Sequence, residues 1–184
     1  ETDLEAGGSV TPTPTPDNTF FLEVSRDRLT GTSGDDYFDA GLAQNQNGEQ
    51  ANTLGSGDRI NGGAGTDVLF AQVQDASPLN GGPGSSIRPA TVDVEVAHFQ
   101  ANTTYNPSIF SEGFSEEILG VEINAADMDG LDEIGSVESD ASLTIYNVNT
   151  LQDNGVYDDR RLTQSVRVRM DHTGNGDVIE PEEG

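Results

Sequence analysis

Residues 29–73 read LTGTSGDDYFDAGLAQNQNGEQANTLGSGDRINGGAGTDVLFAQV, and the segment that decides the fold is Gly62 to Phe70, GGAGTDVLF. Glycines at 62, 63 and 65 allow a tight turn through positive φ that aims carbonyl oxygens inward, and Asp67 adds a carboxylate. Val68, Leu69 and Phe70 then open a short strand, with Leu69 expected to point back into the coil. Hard oxygen donors therefore collect at a turn, and apolar bulk follows at once. A second copy stands at Gly31 to Asp39, GTSGDDYFD, where Gly34, Asp36 and Phe38 hold the places of Gly65, Asp67 and Leu69, and Thr32 replaces a glycine. Gly55-Ser56-Gly57-Asp58-Arg59-Ile60 keeps the Asp-x-apolar step with its glycines displaced, and Asp129-Gly130-Leu131-Asp132-Glu133-Ile134 repeats the core downstream.

LTGTSGDDYFDA and DRINGGAGTDVLFA, about a quarter of the chain, resemble the repeats of the repeats-in-toxin, or haemolysin-type, calcium-binding proteins. The resemblance is particularly to the large bacterial surface and S-layer proteins that carry such repeats. The resemblance implies a calcium-binding parallel β-roll, Ca2+ as cofactor, type I secretion, folding on contact with external calcium, and a place at the cell surface. Carried onto this chain, the ligand candidates are Gly34, Asp35, Asp36, Asp39, Asp58, Gly62, Gly65, Asp67, Asp129 and Asp132. The repeats are few, and Gly41 to Thr53 interrupts them.

A second metal candidate closes the sequence. Asp171-His172-Thr173-Gly174-Asn175-Gly176-Asp177-Val178-Ile179-Glu180-Pro181-Glu182 puts oxygen-bearing side chains at loop positions 1, 3, 5 and 7, glycine at 6 and Glu at 12, the ligand spacing of an EF-hand loop. Asp171, Thr173, Asn175, Asp177 and Glu182 are the expected ligands. The flanks differ from an EF-hand, because a strand leads in and Pro181 precedes the closing Glu.

Composition narrows the setting. There are 33 acidic residues against 8 basic ones, all arginine, for a formal charge of -25. Such a chain repels nucleic acid and anionic membrane, and mutual repulsion among its carboxylates makes bound cations a condition of compactness. With no cysteine, disulfides and thiolate metal sites are excluded. No apolar run is long enough to span a membrane.

Thr11-Pro12-Thr13-Pro14-Thr15-Pro16 marks residues 1–18 as an extended linker rising about 3 Å per residue. Residues 19–184 then form one all-β domain, with a nonapeptide region at 29–73 and a strand-rich region at 91–184. The first strand is expected at Phe20 to Val24, and a surface loop at Pro78 to Ser86. Period-two alternation predicts strands through Val92, Val94 and Val96, through Val121 and Ile123, through Leu143 and Ile145, and through Val166, Val168 and Met170. Ser111 to Leu119 is the one short helix candidate. Val94, Val121, Leu143 and Val166 follow one another at near-equal intervals, which fits the rungs of a β-solenoid. An antiparallel sandwich is the alternative architecture.

Neither His98 nor His172 stands in a nucleophile motif, and Asp158, Asp159, Arg160 and Arg161 read as a hydrated turn. The chain is therefore expected not to be an enzyme. Three functional classes follow: a structural calcium-binding module of an S-layer, filament or adhesin; a carbohydrate- or surface-binding module of an adhesin or phage virion protein; and a polysaccharide lyase or epimerase. Expected partners are copies of itself, other surface-protein subunits, or cell-surface polysaccharide.

Overall fold

A computed structural model describes residues 15–74, 86–102, 120–148 and 166–171. Local alternation sets its elements. In Val68–Gln74 every second side chain, Leu69, Ala71 and Val73, is fully buried while those between are half-exposed, the signature of a strand with one face on a core. The same pattern shapes Asp36–Ala40, where Phe38 and Ala40 are buried, and Val96–Asn102, where Ala97, Phe99 and Ala101 are buried.

In chain order the strands are β1 (Asn18–Phe21), β2 (Arg28–Thr30), β3 (Asp36–Ala40), β4 (Ala43–Gln44), β5 (Gln50–Ala51), β6 (Arg59–Asn61), β7 (Val68–Gln74), β8 (Ser86–Ile87), β9 (Ala90–Val92), β10 (Val96–Asn102), β11 (Val121–Asn124), β12 (Glu133–Val137), β13 (Leu143–Tyr146) and β14 (Arg167–Asp171). A 3-10 turn, Ala125–Asp127, follows β11. The first face of the coil is the six-stranded sheet β1-β3-β7-β10-β12-β14, and the second is β2-β6-β9. The third is β8-β11-β13. All three are parallel throughout; the small β4–β5 hairpin is antiparallel.

Parallel neighbours in sequence order require the chain to wind round once between them, so this is a solenoid and not the sandwich. Asn18 pairs with Asp36, a coil made of two nonapeptides. Tyr37 pairs with Val68 across a much longer coil, because β4 and β5 are inserted between the repeats. By register Phe20, Phe38, Leu69, Ala97, Ile134 and Val168 occupy one row along the axis, buried from Phe38 to Ile134 and exposed at Val168 on the last described strand. Phe20 and Phe38 lie ring on ring at 5.1 Å.

Several boundaries differ from expectation. β1 begins at Asn18, inside the segment read as linker, and ends at Phe21, short of Val24. Val92 to Val96 is two strands joined by a corner: Asp93 takes φ 51° and turns the chain from β9 into β10. Their valines alternate as in a strand, so a sharp turn between β-branched residues leaves no trace in the pattern. Val121 and Leu143 pair, as the rung spacing predicted, but Val94 stands at the corner before β10 and Val166 just ahead of β14 in the first sheet, so neither continues that row. Ser86 opens β8 where the surface loop was expected to end. The rest of that loop, the helix candidate at 111–119 and the last loop beyond Asp171 lie outside the described residues.

Candidate metal centre

The second face passes to the first through a corner that recurs in each coil. From Thr30 to Asp36 and from Asn61 to Asp67 the chain takes six steps; from Val92 to Glu95 it takes three. Register makes the last residue of each corner equivalent: Asp36, Asp67, Glu95 and Asp132 each stand one place ahead of a paired strand residue, Tyr37, Val68, Val96 or Glu133. Four acids are thus stacked along the axis. At a strand spacing of about 4.8 Å, two unit charges repel by roughly 3 kcal/mol at an effective dielectric constant of about 20.

Main-chain donors hold this ladder in part. The Asp36 N–H donates to Asp67 Oδ1 at 2.8 Å and the Asp67 N–H to Glu95 Oε2 at 2.7 Å, while Thr66 N–H reaches Asp35 Oδ1 at 2.8 Å. Asp67 is fully buried, and its Oδ2 has no hydrogen-bond partner. Burial pushes its carboxyl above the ordinary value, the Asp36 N–H opposes that in part, and Glu95, Asp36 and Asp35 push it further up. An unpartnered carboxylate oxygen among other acids is what a bound cation would compensate.

Oxygens from two coils converge here. A Cβ added at Gly62 would overlap both Asp67 Oδ2 and the Asp93 carbonyl oxygen; one at Gly31 would overlap the Gly62 carbonyl oxygen and lie 2.6 Å from Asp36 Oδ2. Gly62 is therefore required by close approach and not by φ. Gly65, at φ 133°, is required by conformation as well. Among the described residues, no group of three or more Asp, Glu or His side chains is arranged to hold a metal on its own. A hard cation at this corner needs main-chain carbonyls beside Asp67 and Glu95, and the corner supplies them. The residues present fit Ca2+.

The first corner is closed by comparison. Asp36 accepts from Asn18 Nδ2 at 2.9 Å, and from the N–H and hydroxyl of Thr32. Burial acts to raise the Asp36 carboxyl, but these bonds outweigh it and leave it below its ordinary value. Thr32, standing where the next corner has Gly63, satisfies the carboxylate with its own hydroxyl.

Other candidates fall elsewhere. Asp58 sits at the opposite end of β6 and accepts from the Asp27 N–H at 2.9 Å and the Gly55 N–H at 2.7 Å, so both its oxygens are engaged in a separate column. Its carboxyl is pushed up by burial. Asp39 lies in β3 beyond the corner and accepts from the Gly41 N–H at 3.0 Å. Gly34 packs against Asp17, and Asp35 flanks the ladder. Asp129 and Asp132 belong to the same corner one coil beyond Glu95: the Asp129 N–H donates to the Thr91 carbonyl at 2.9 Å and that of Asp132 to the Glu95 carbonyl at 2.7 Å. Asp171 ends β14, paired with Val137. Thr173, Asn175, Asp177 and Glu182 lie outside the described residues.

Sequence reasoning missed Glu95, Asp93 and Asp27. Glu95-Val96-Ala97 keeps the carboxylate-x-apolar step without glycines, which was the available signal. Asp27-Arg28-Leu29 precedes Asp36-Tyr37-Phe38 by one nonapeptide, and Asp58-Arg59-Ile60 precedes Asp67-Val68-Leu69 by the same interval.

Stacked corners of glycine, carbonyl and acid on a parallel coil define a β-roll of the calcium-binding kind. Residues 17–46 and 51–74 match the family described as the RTX calcium-binding nonapeptide repeat (4 copies), so this part of the chain carries RTX repeats, which bind Ca2+. The four Asp-x-apolar steps at Asp27, Asp36, Asp58 and Asp67 all fall inside the matched residues. No curated protein and no solved structure matched the chain.

Proposed function

We propose that this chain is a structural calcium-binding module of an extracellular surface protein, a layer, filament or adhesin, in which Ca2+ joins successive coils. Asp67, Glu95 and the Asp93 carbonyl would hold the ion, with Asp36 beside the Gly62 carbonyl, and Asp132, extending the column on either side. The observation that carries this is Asp67 Oδ2, buried and unpartnered within a ladder of like charges. Calcium supplies countercharge there, and its role is to stabilise the fold, not to catalyse. The net charge of -25 and the absence of cysteine support a setting where divalent cations, not disulfides, secure the chain. No helix among the described residues is long and apolar enough to cross a membrane. The Thr-Pro run of residues 11–16 supports a tether to neighbouring segments, and copies of the same chain or other surface subunits are the partners this role calls for.

The test is circular dichroism and thermal melting of EGTA-treated protein titrated with calcium, with magnesium as control. A calcium-selective gain in β signal and melting temperature through the millimolar range is expected. Identical folding with and without calcium would sink the assignment.

A further inference from the structure

Half of the arginines in this acidic chain stand in one place. Arg26, Arg28, Arg59 and Arg88 line a groove of about 970 Å³ that runs over the outer side of the second face, β2-β6-β9. Register sets Arg28 directly beside Arg59, with Ala90 next in the row, and Thr30 beside Asn61 and Val92 in the row below. The strand pattern turns Leu29, Ile60 and Thr91 toward the core, so both rows face outward.

Three acids also line the groove, and two of them are engaged. Asp58 is buried, accepting main-chain N–H groups, and Asp127 is held by Arg88 through two bonds of 2.7 and 2.8 Å. Asp129 is the third. Arg28 and Arg59 make no salt bridge within 4 Å among the described residues and are exposed, although Asp127, held by Arg88, also feels the charge of Arg59. Two arginines whose backbones stand one strand spacing apart, about 4.8 Å, can offer paired forks to carboxylate or sulfate.

We propose that this groove binds a linear anionic glycan laid along the solenoid axis, its acidic groups on Arg28 and Arg59 and its hydroxyls on Thr30 and Asn61. Such a polymer carries one charge per sugar or per disaccharide, sparse enough to meet arginines at strand intervals. Nucleic acid is denser, about one charge per 1.7 Å of duplex axis, and would meet the acids around the groove. The overall negative charge does not prevent the contact, because the Debye length is about 8 Å at physiological salt and only the local cations act at close range. The proposal goes beyond the calcium role and rests on the surface setting only for where the glycan is met.

The test is isothermal titration of the calcium-loaded chain with a galacturonate tetramer, its methyl ester as neutral control, and a single-stranded oligonucleotide of equal charge. Binding of the acid but not the ester is expected, weakening as salt rises. Arg28→Gln/Arg59→Gln should weaken it about tenfold or more, the order of one lost charge-assisted contact. Arg167→Gln, removing the same charge from β14, should leave it unchanged. Calcium-dependent melting of each variant reports the fold and the metal role separately. Should the double variant not fold, Ala90→Leu, which fills the floor beside the arginines, should weaken binding in its place. Equal binding of ester and acid, undiminished binding by the folded variants, or tighter binding of the oligonucleotide would overturn the proposal.

Discussion

Asp67→Asn separates two roles that one side chain combines. Without calcium, the buried carboxylate keeps one oxygen on the Asp36 N–H and leaves the other unpartnered among acids. Asparagine retains the accepting oxygen and replaces the other with an amide that donates to its acidic neighbours. Removing an unsatisfied buried acceptor and its charge gains about 1–3 kcal/mol, so the variant in EGTA should melt higher by roughly 2–4 °C for each kcal/mol. With calcium the sign reverses. A site binding at about 0.1 mM in about 10 mM calcium contributes about 2.7 kcal/mol to folding. An amide oxygen is the poorer ligand, so most of that is lost and the variant melts below the wild type. Scanning calorimetry in both media measures the two shifts. Equal destabilisation with and without calcium would refute the reasoning and make Asp67 a turn residue only.

Thr32→Gly should open the first corner: calcium-free stability falls by about 1–2 kcal/mol as the bonds to Asp36 are lost, and calorimetric titration gains one equivalent of calcium. Leu69→Ala, fully buried between Phe38 and Ala97 in its row, should cost about 2–5 kcal/mol by denaturant melting, alike in both media. Glu133→Gln probes pH. Burial acts to raise the Glu133 carboxyl, but Arg167 at 2.8 Å and His98 at 2.8 Å outweigh it and hold it below the ordinary value. A lowered carboxylate stabilises the fold above its unfolded value and ceases to as pH falls through the folded one. The variant should therefore be about 1 kcal/mol less stable at neutral pH, Arg167 being largely exposed, and the gap should close in acid below about pH 4.

Glycines and acids at fixed intervals made the coil legible in the sequence, since a turn that needs Gly62 and Gly65 and then buries Leu69 has few other solutions. The register was not legible. The coil from Asn18 to Asp36 is less than half as long as the one from Val96 to Glu133, and no single period spans them. Glu95 was hidden for a related reason. Its corner is three steps long and uses Asp93 in place of glycines, so the chemistry continues after the motif has ended. Conversely, Asp58 carries the motif but serves the opposite corner, and only the winding of the chain assigns each Asp to a column. The arginine groove was invisible because Arg28 and Arg59 are a whole coil apart in the chain and meet only through strand pairing.

The β4–β5 hairpin has a practical consequence. It adds a projecting loop between two repeats, yet Tyr37 and Val68 still pair and the acids on either side remain stacked. The stretch between β3 and β6 is thus free in length while the corner that carries the acids is held to three or six steps. A protein built this way can display a foreign loop in place of the hairpin without disturbing what holds the coils together.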